Sequence, residues 1–135
     1  MLRPRKINWG VRVEQLVRAI SIRQPYVERI LNGTKKAEFR SRRTLIRERV
    51  YLYVSMRRVD PTDRSWRRLG KTPAQLDFTR GLIVGSVEII GCEEIAPGEF
   101  AWRVKRPRRY RVPLVGRGQP QPVFWRPKAV RPVRS

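Results

Sequence analysis

The 135-residue chain has no histidine and a single cysteine. Without histidine, Ser-His-Asp and Cys-His catalysis are excluded, and so are the histidine-built metal sites. Cys92 alone forms neither an internal disulfide nor a CxxC pair. It follows an apolar run and reads as a small core residue, which is the common state of a free thiol. The lack of a disulfide framework suits a reducing compartment. No run approaches the ~18 apolar residues of a membrane helix. The basic stretch Met1 to Arg12 lacks the apolar core of a signal peptide. The expectation is a soluble, cytoplasmic protein with no membrane partner, no metal site and no cofactor, and a monomer is the default.

Negative charge is also scarce. Eleven acidic residues stand against 32 Lys and Arg, a formal net charge of +21. A compact domain so charged repels itself and attracts polyanions, with nucleic acid first and an anionic surface second. Arginine greatly outnumbers lysine, so genome-driven drift in composition is the competing account. Length sets one domain, large enough for a single core.

Along the chain, Met1 to Val17 reads as a basic arm, either frayed or reaching for phosphates, with Trp9-Gly10 as an anchor and turn. Val17 to Ile22 alternates as a strand. Gln24-Pro25 opens a short helix with the apolar stripe Tyr26, Val27, Ile30 and Leu31, and Asn32-Gly33 ends it. Lys36 to Arg40 is a second strand. Val50 to Val54 is the clearest, with Val50, Leu52 and Val54 on one face and Tyr51 and Tyr53 on the other. Arg57 to Lys71 is polar and irregular, with Trp66 as its anchor, and Thr72-Pro73 starts a brief helix. Leu82 to Ile90 is a long apolar strand with Gly85 at a bulge. A turn at Pro97-Gly98 leads to separate strands at Phe100 to Val104 and Tyr110 to Val112, and Val123 to Trp125 closes the sheet. Residues 128–135 form a basic tail. Five or six strands with one or two short helices imply a small α+β barrel.

The chemistry concentrates in Gly33-Thr34-Lys35-Lys36-Ala37-Glu38-Phe39-Arg40. Lys36, Glu38 and Arg40 share one side of an extended chain, with Lys35 at the turn before it. Lys35 offers a point charge to a phosphate or carbonyl, Arg40 a planar fork. Glu38 either accepts from a base amine or orients the two cations. The same residues read equally as an internal salt-bridge network fastening turn to barrel. Gln24 and Tyr26, at the helix start, face an anion or serve as cap and core. Ser55 adds a hydroxyl to the cleft or simply makes a turn.

Around this candidate cleft, Arg42, Arg43, Arg57, Arg58, Arg106, Arg108 and Arg109 form a phosphate-binding surface interleaved with Trp66, Trp102 and Tyr110. That pattern suits single-stranded nucleic acid. Its bland counterpart is a solvated basic face over core aromatics, Trp102 being read as core.

The order of these pieces resembles the ASCH domain family of the PUA-like superfamily of small β-barrels, over residues 18–127. The resemblance rests on Ser21-Ile22-Arg23-Gln24-Pro25-Tyr26. It then follows the family's GxKxxExR pattern as Gly33, Lys35, Glu38 and Arg40, then Arg47, Ser55 and Gly81-Leu82-Ile83-Val84-Gly85. A W…P…P…G finish stands at Trp102, Pro107, Pro113 and Gly116. Glu48 departs from the glycine many members carry after the arginine. The resemblance implies a PUA-like barrel with a cleft beside the GxKxxExR strand that binds RNA, in preference to DNA, or a nucleotide. Some relatives are amidohydrolases on acylated cytidine, and nuclease activity has been proposed for others. Lys35 aligns with the amidohydrolase lysine, but Glu38 stands where those enzymes carry threonine. The alternative is therefore a small hydrolase using Lys35 and Glu38 as base and acid. A third reading is an accessory protein of an RNA complex whose terminal arms order on binding.

Overall fold

The computed structural model describes residues 5–7 and 11–133. Trp9-Gly10 lies outside them. Strands β1 (Arg5–Ile7) and β2 (Val11–Val13) pair antiparallel as a hairpin. The other strands are β3 (Ala19–Ile22), β4 (Ala37–Arg40), β5 (Arg49–Val54), β6 (Ile83–Ala96), β7 (Glu99–Arg117), β8 (Phe124–Trp125) and β9 (Lys128–Pro132). They form one seven-stranded mixed sheet in the order β4-β7-β6-β5-β3-β8, with β9 added to β7. The two short helices are α1 (Tyr26–Leu31) and α2 (Pro73–Leu76). The fold is α+β, as expected. The sheet is not a closed barrel among the described residues: β4 and β8, at the ends of the path, are not paired to each other.

β5 shows why the sheet is buried on both faces. Its side chains alternate with period two. Val50, Leu52 and Val54 enter a core with Val27 and Ile30 of α1, Trp102 and Phe100. Tyr51 and Tyr53 enter a second core with Val13, Leu114 and Trp125. α1 thus covers one face, and Val13 and Leu16, before β3, help cover the other.

Two segments expected as separate strands are one. Lys105 to Arg109 carry β7 straight through, and the pairing with β6 absorbs Pro107 by slipping register between Ser86 and Glu88 and again between Ile83 and Gly85. Irregular pairing is what lets a proline sit inside a strand. A Cβ on Gly85 would stand 2.3 Å from the Arg108 carbonyl oxygen, so only glycine allows the approach there. Lys128 to Pro132, set apart from the domain as a tail by composition, belong to the sheet as β9. The irregular stretch before α2 has a small core of its own, Trp66, Leu69 and Leu76. There the Trp66 indole donates to the Val59 carbonyl at 3.0 Å. Thr72 and Gln75 make a reciprocal capping box that starts α2.

The arm proposed for residues 1–17 likewise merges with the domain at its inner end. Val13 is fully buried. The Glu14 carboxylate accepts from Ser86 Oγ at 2.5 Å, the Tyr110 hydroxyl at 2.6 Å and Arg108 at 2.5 Å. Tyr51 donates to the Glu14 carbonyl at 2.6 Å and accepts from the Leu16 N–H. Burial works to raise the Glu14 carboxyl, but these donors outweigh it and hold the group below its ordinary value. Glu14→Ala strands the buried Ser86 and Tyr110 hydroxyls and is expected to cost about 2 kcal/mol. Because the folded value is depressed, the carboxylate's stabilisation is present above pH 4.5 and is lost as pH falls through that lowered value. Urea unfolding of wild type and Glu14→Gln should therefore show a shallower acid limb in the variant, and equal limbs would refute this role of the Glu14 carboxylate.

Candidate functional site

The open ends of the sheet define the site. β4 lies at one end of the strand path and β3-β8 at the other, and the side chain of Arg40 spans between them. Its Nε donates to Glu38 Oε2 at 2.8 Å on its own strand. Its Nη2 donates to the Ser21 carbonyl of β3 at 2.8 Å, and its Nη1 to the Pro122 carbonyl before β8 at 3.1 Å. A guanidinium fork thus does by side chain what a ladder of backbone bonds does in a closed sheet. Beside this bridge opens a cleft of about 1050 Å3.

Local sequence places the charges. α1 is capped by Asn32, and Gly33 takes φ +84°, a left-handed conformation that favours glycine. Asn32 Oδ1 accepts from the Thr34 N–H at 2.9 Å, and the Lys35 N–H returns to the Arg29 carbonyl at 3.0 Å. The chain then enters β4, where Glu38 pairs opposite Trp102 of β7. Glu38 and Arg40, two residues apart in a strand, fall on one face.

Lys35 Nζ stands 3.6 Å from Glu38 Oε1. It also lies 5.1 Å from the Tyr26 ring centre and 4.8 Å from that of Phe39. Burial lowers the Lys35 ammonium from its ordinary value and nearby Arg40 adds to this, against the pull of Glu38. Arg40 is bound to three acceptors of the protein, whereas Lys35 has one carboxylate neighbour and two ring faces. Arg40 thus joins β4 to β3 and to the segment before β8, Lys35 lines the cleft, and Glu38 touches both.

Of the candidate cleft residues, Tyr26, Lys35, Glu38, Arg40 and Ser55 line this one cavity, joined by Arg57 from the proposed phosphate surface. Gln24 does not. It is 2% exposed; its amide donates to Thr79 Oγ1 at 3.2 Å and accepts from the Glu28 N–H at 3.0 Å. That makes it a buried tie between α1 and the turn after α2, on the wall of a second cavity. α1, at six residues, offers no extended helix end in its place. Reasoning from sequence missed Arg23, Phe39, Tyr53, Met56 and the Pro120 to Pro122 loop as lining. Arg23 and Phe39 carried a signal, since both lie inside the motif segments. The loop carried none, being brought in from a distant part of the chain through the Arg40 bridge and the bond from Ser21 Oγ to the Gln121 carbonyl at 2.6 Å.

Most of the proposed phosphate surface already has anionic partners. Arg109 binds Glu28 through both terminal nitrogens at 2.9 and 2.7 Å, Arg106 binds Glu88 at 3.1 and 2.8 Å, and Arg108 binds Glu14. Arg58 pairs with Asp77, and Arg43 with Glu94 at 3.7 Å while lying over Phe100. Arg42 contributes its carbonyl to the Trp102 indole at 2.9 Å. The aromatics expected among these arginines are likewise spoken for: Trp66 and Trp102 are buried, and the Tyr110 hydroxyl is bound to Glu14. Arg57, which is exposed and lines the cleft, has no carboxylate partner among the described residues.

A small mixed-sheet domain with a charged cleft at its unclosed seam is the class these features define. The family model of the ASCH domain matches residues 20–110, and the chain belongs to that family. It is a PUA-like module of the kind generally associated with RNA binding. The match takes in both the Ser21 to Tyr26 segment and the GxKxxExR strand, while Pro113 and Gly116 lie beyond it. No curated protein matches the chain. No helix among the described residues is long and apolar enough to cross a membrane.

Proposed function

We propose that the domain binds single-stranded RNA and seats one nucleotide in the cleft between β4 and α1. The observation that carries this reading is Lys35. Its ammonium is held by Glu38 between two aromatic rings, on the wall of a cavity large enough for a nucleotide. Lys35 donates to a phosphate or base carbonyl, Glu38 accepts from a base N–H, and Phe39, 57% exposed, offers a ring face to a base. The net charge of +21 supplies the longer-range attraction.

Lys35→Ala is expected to weaken a fluorescein-labelled oligouridylate roughly tenfold while leaving the fold intact, since Arg40 keeps Glu38 paired. Anisotropy titrations against this probe and a duplex DNA, at several salt concentrations, check it. Log affinity should fall by about 0.7 per neutralised phosphate per log unit of salt. A flat salt response, or equal binding by the variant, would sink the reading. One observation favours a hydrolase as the second reading: burial lowers Lys35 beside a carboxylate, the condition for a lysine base. Absence of turnover on acylcytidine nucleosides at high protein concentration removes it.

A further inference from the structure

The second cavity, of about 510 Å3, lies across α1 from the cleft. Tyr26 of α1 faces the cleft, whereas Glu28 and Leu31 of the same helix face the second cavity, and the adjacent Arg23 and Gln24 divide the same way. Its cations are Lys71, Arg109 and Arg111, and Glu28 is its one carboxylate. Glu28 is 4% exposed and anchors two of the three: Arg109 by its paired bonds, Lys71 at 3.4 Å. Lys71 and Arg109 nonetheless remain 44% and 45% exposed, so their charged heads stay at the mouth. Arg111 is exposed on the same wall. Cationic charge therefore exceeds anionic around an opening whose interior is apolar, with Leu31, Leu76 and Val84.

Phe78 completes the arrangement. It is 68% exposed, stands outside the Trp66, Leu69 and Leu76 core beside it, and lines this cavity. An open aromatic face next to unsaturated cations on an apolar recess is the combination that holds a stacked base and its phosphate.

We propose that this second cavity is another nucleotide subsite for the same RNA strand, the base stacking on Phe78 and the phosphate meeting Lys71 and Arg111. The inference rests on the reading that the cleft takes a nucleotide. A strand seated in both places passes over α1, a span of about one helix diameter, ~10 Å. The two subsites recognise differently. The cleft presents a Lys35–Glu38 pair able to read base edges, whereas the second cavity presents a ring face and cations exposed at its mouth, which tolerate any base.

The test uses the full chain and a fluorescein-labelled oligouridylate of about twelve residues. Phe78→Ala, Arg111→Ala and Lys35→Ala are compared with wild type across a salt series. Phe78 and Arg111 are exposed, so thermal unfolding should be unchanged. Phe78→Ala is expected to weaken binding roughly tenfold with no change in salt slope, because it removes stacking and no charge. Arg111→Ala should reduce the slope by about one phosphate's share. If both variants bind as wild type does while Lys35→Ala is weakened, the second subsite is overturned and the cleft reading stands. If both are weakened while Lys35→Ala is not, the second cavity is upheld as a nucleotide site and the cleft reading falls. If none of the three is weakened, both fall.

Discussion

Glu38→Ala is expected to lower stability by about 3 kcal/mol, the scale seen when one partner of a buried ion pair is removed. The Glu38 side chain is 10% exposed and stands between Lys35 and Arg40, themselves 14% and 19% exposed. Without the carboxylate, two half-sequestered cations face each other. Arg40 keeps its bonds to the Ser21 and Pro122 carbonyls but loses the group that sets its plane, so the bridge across the open sheet slackens. Lys35 keeps only its ring contacts. Glu38→Gln preserves an acceptor for Arg40 Nε and should cost less. Lys35→Met added to Glu38→Ala should recover part of the loss, because it removes the cation left uncompensated. Urea unfolding of wild type, Glu38→Ala, Lys35→Met and the double variant gives the coupling energy directly. Additive effects would show that the trio does not act as a unit.

The same trio has a pH signature. Lys35 titrates below the free-lysine value of 10.5 in the folded state. The unfolded chain thus binds more protons between the lowered value and 10.5, and stability due to this site rises with pH across that window. Tyr51, Tyr53 and Tyr110, all raised by burial, act in the opposite sense above pH 10. Those contributions are common to wild type and Lys35→Met and cancel in the difference, which should carry the positive slope alone.

The parts of the fold legible in the sequence were those governed by local rules. The alternation of Val50 to Val54 correctly separated its two faces, which enter two different cores, because period two leaves no freedom once both faces are buried. The glycine-ended helix and the charged strand after it also emerged within a residue or so. Sheet closure did not. A strand's own residues say that it pairs, but whether β4 meets β8 depends on the accumulated twist and lengths of the strands between them, which is non-local. Likewise Lys105 to Arg109 looked like a loop, since five polar residues around a proline lack apolar periodicity. Their strand geometry is imposed by β6 across the ladder, with register slips that no single-strand pattern encodes. The candidate site divides along the same line. Residues contiguous with the motif fall in one cleft. Gln24, one residue from that cleft's wall, turns the other way, and the arginine clusters found their carboxylates on strands and turns remote in sequence, such as Glu14 for Arg108. Charge runs report composition, and only the fold decides which charges remain unspent.

Trp102→Ala carries the largest expected loss of stability, about 4 kcal/mol. The side chain is 1% exposed and is the largest fully buried one among the described residues. It lies in the α1-side core, parallel to the Phe124 ring with centroids 5.5 Å apart, and its indole N–H holds the Arg42 carbonyl. The Arg40 guanidinium lies 5.6 Å over its ring. One residue of β7 therefore supports β4 by pairing opposite Glu38, β8 by stacking, and the bridge between them by underlying Arg40. Alanine there opens a cavity beneath all three. Trp102→Phe keeps a ring against Phe124 and under Arg40 and leaves only the partly exposed Arg42 carbonyl to water, so about 1–2 kcal/mol is expected. The pair separates packing from recognition. Chemical unfolding should rank wild type above Trp102→Phe above Trp102→Ala, while oligouridylate affinity of the folded Trp102→Phe protein should stay within roughly threefold of wild type, since Lys35 and Glu38 keep their positions. An affinity loss in Trp102→Phe as large as that of Lys35→Ala would mean that the seam between β4 and β8, not the Lys35 ammonium, is what the ligand reads.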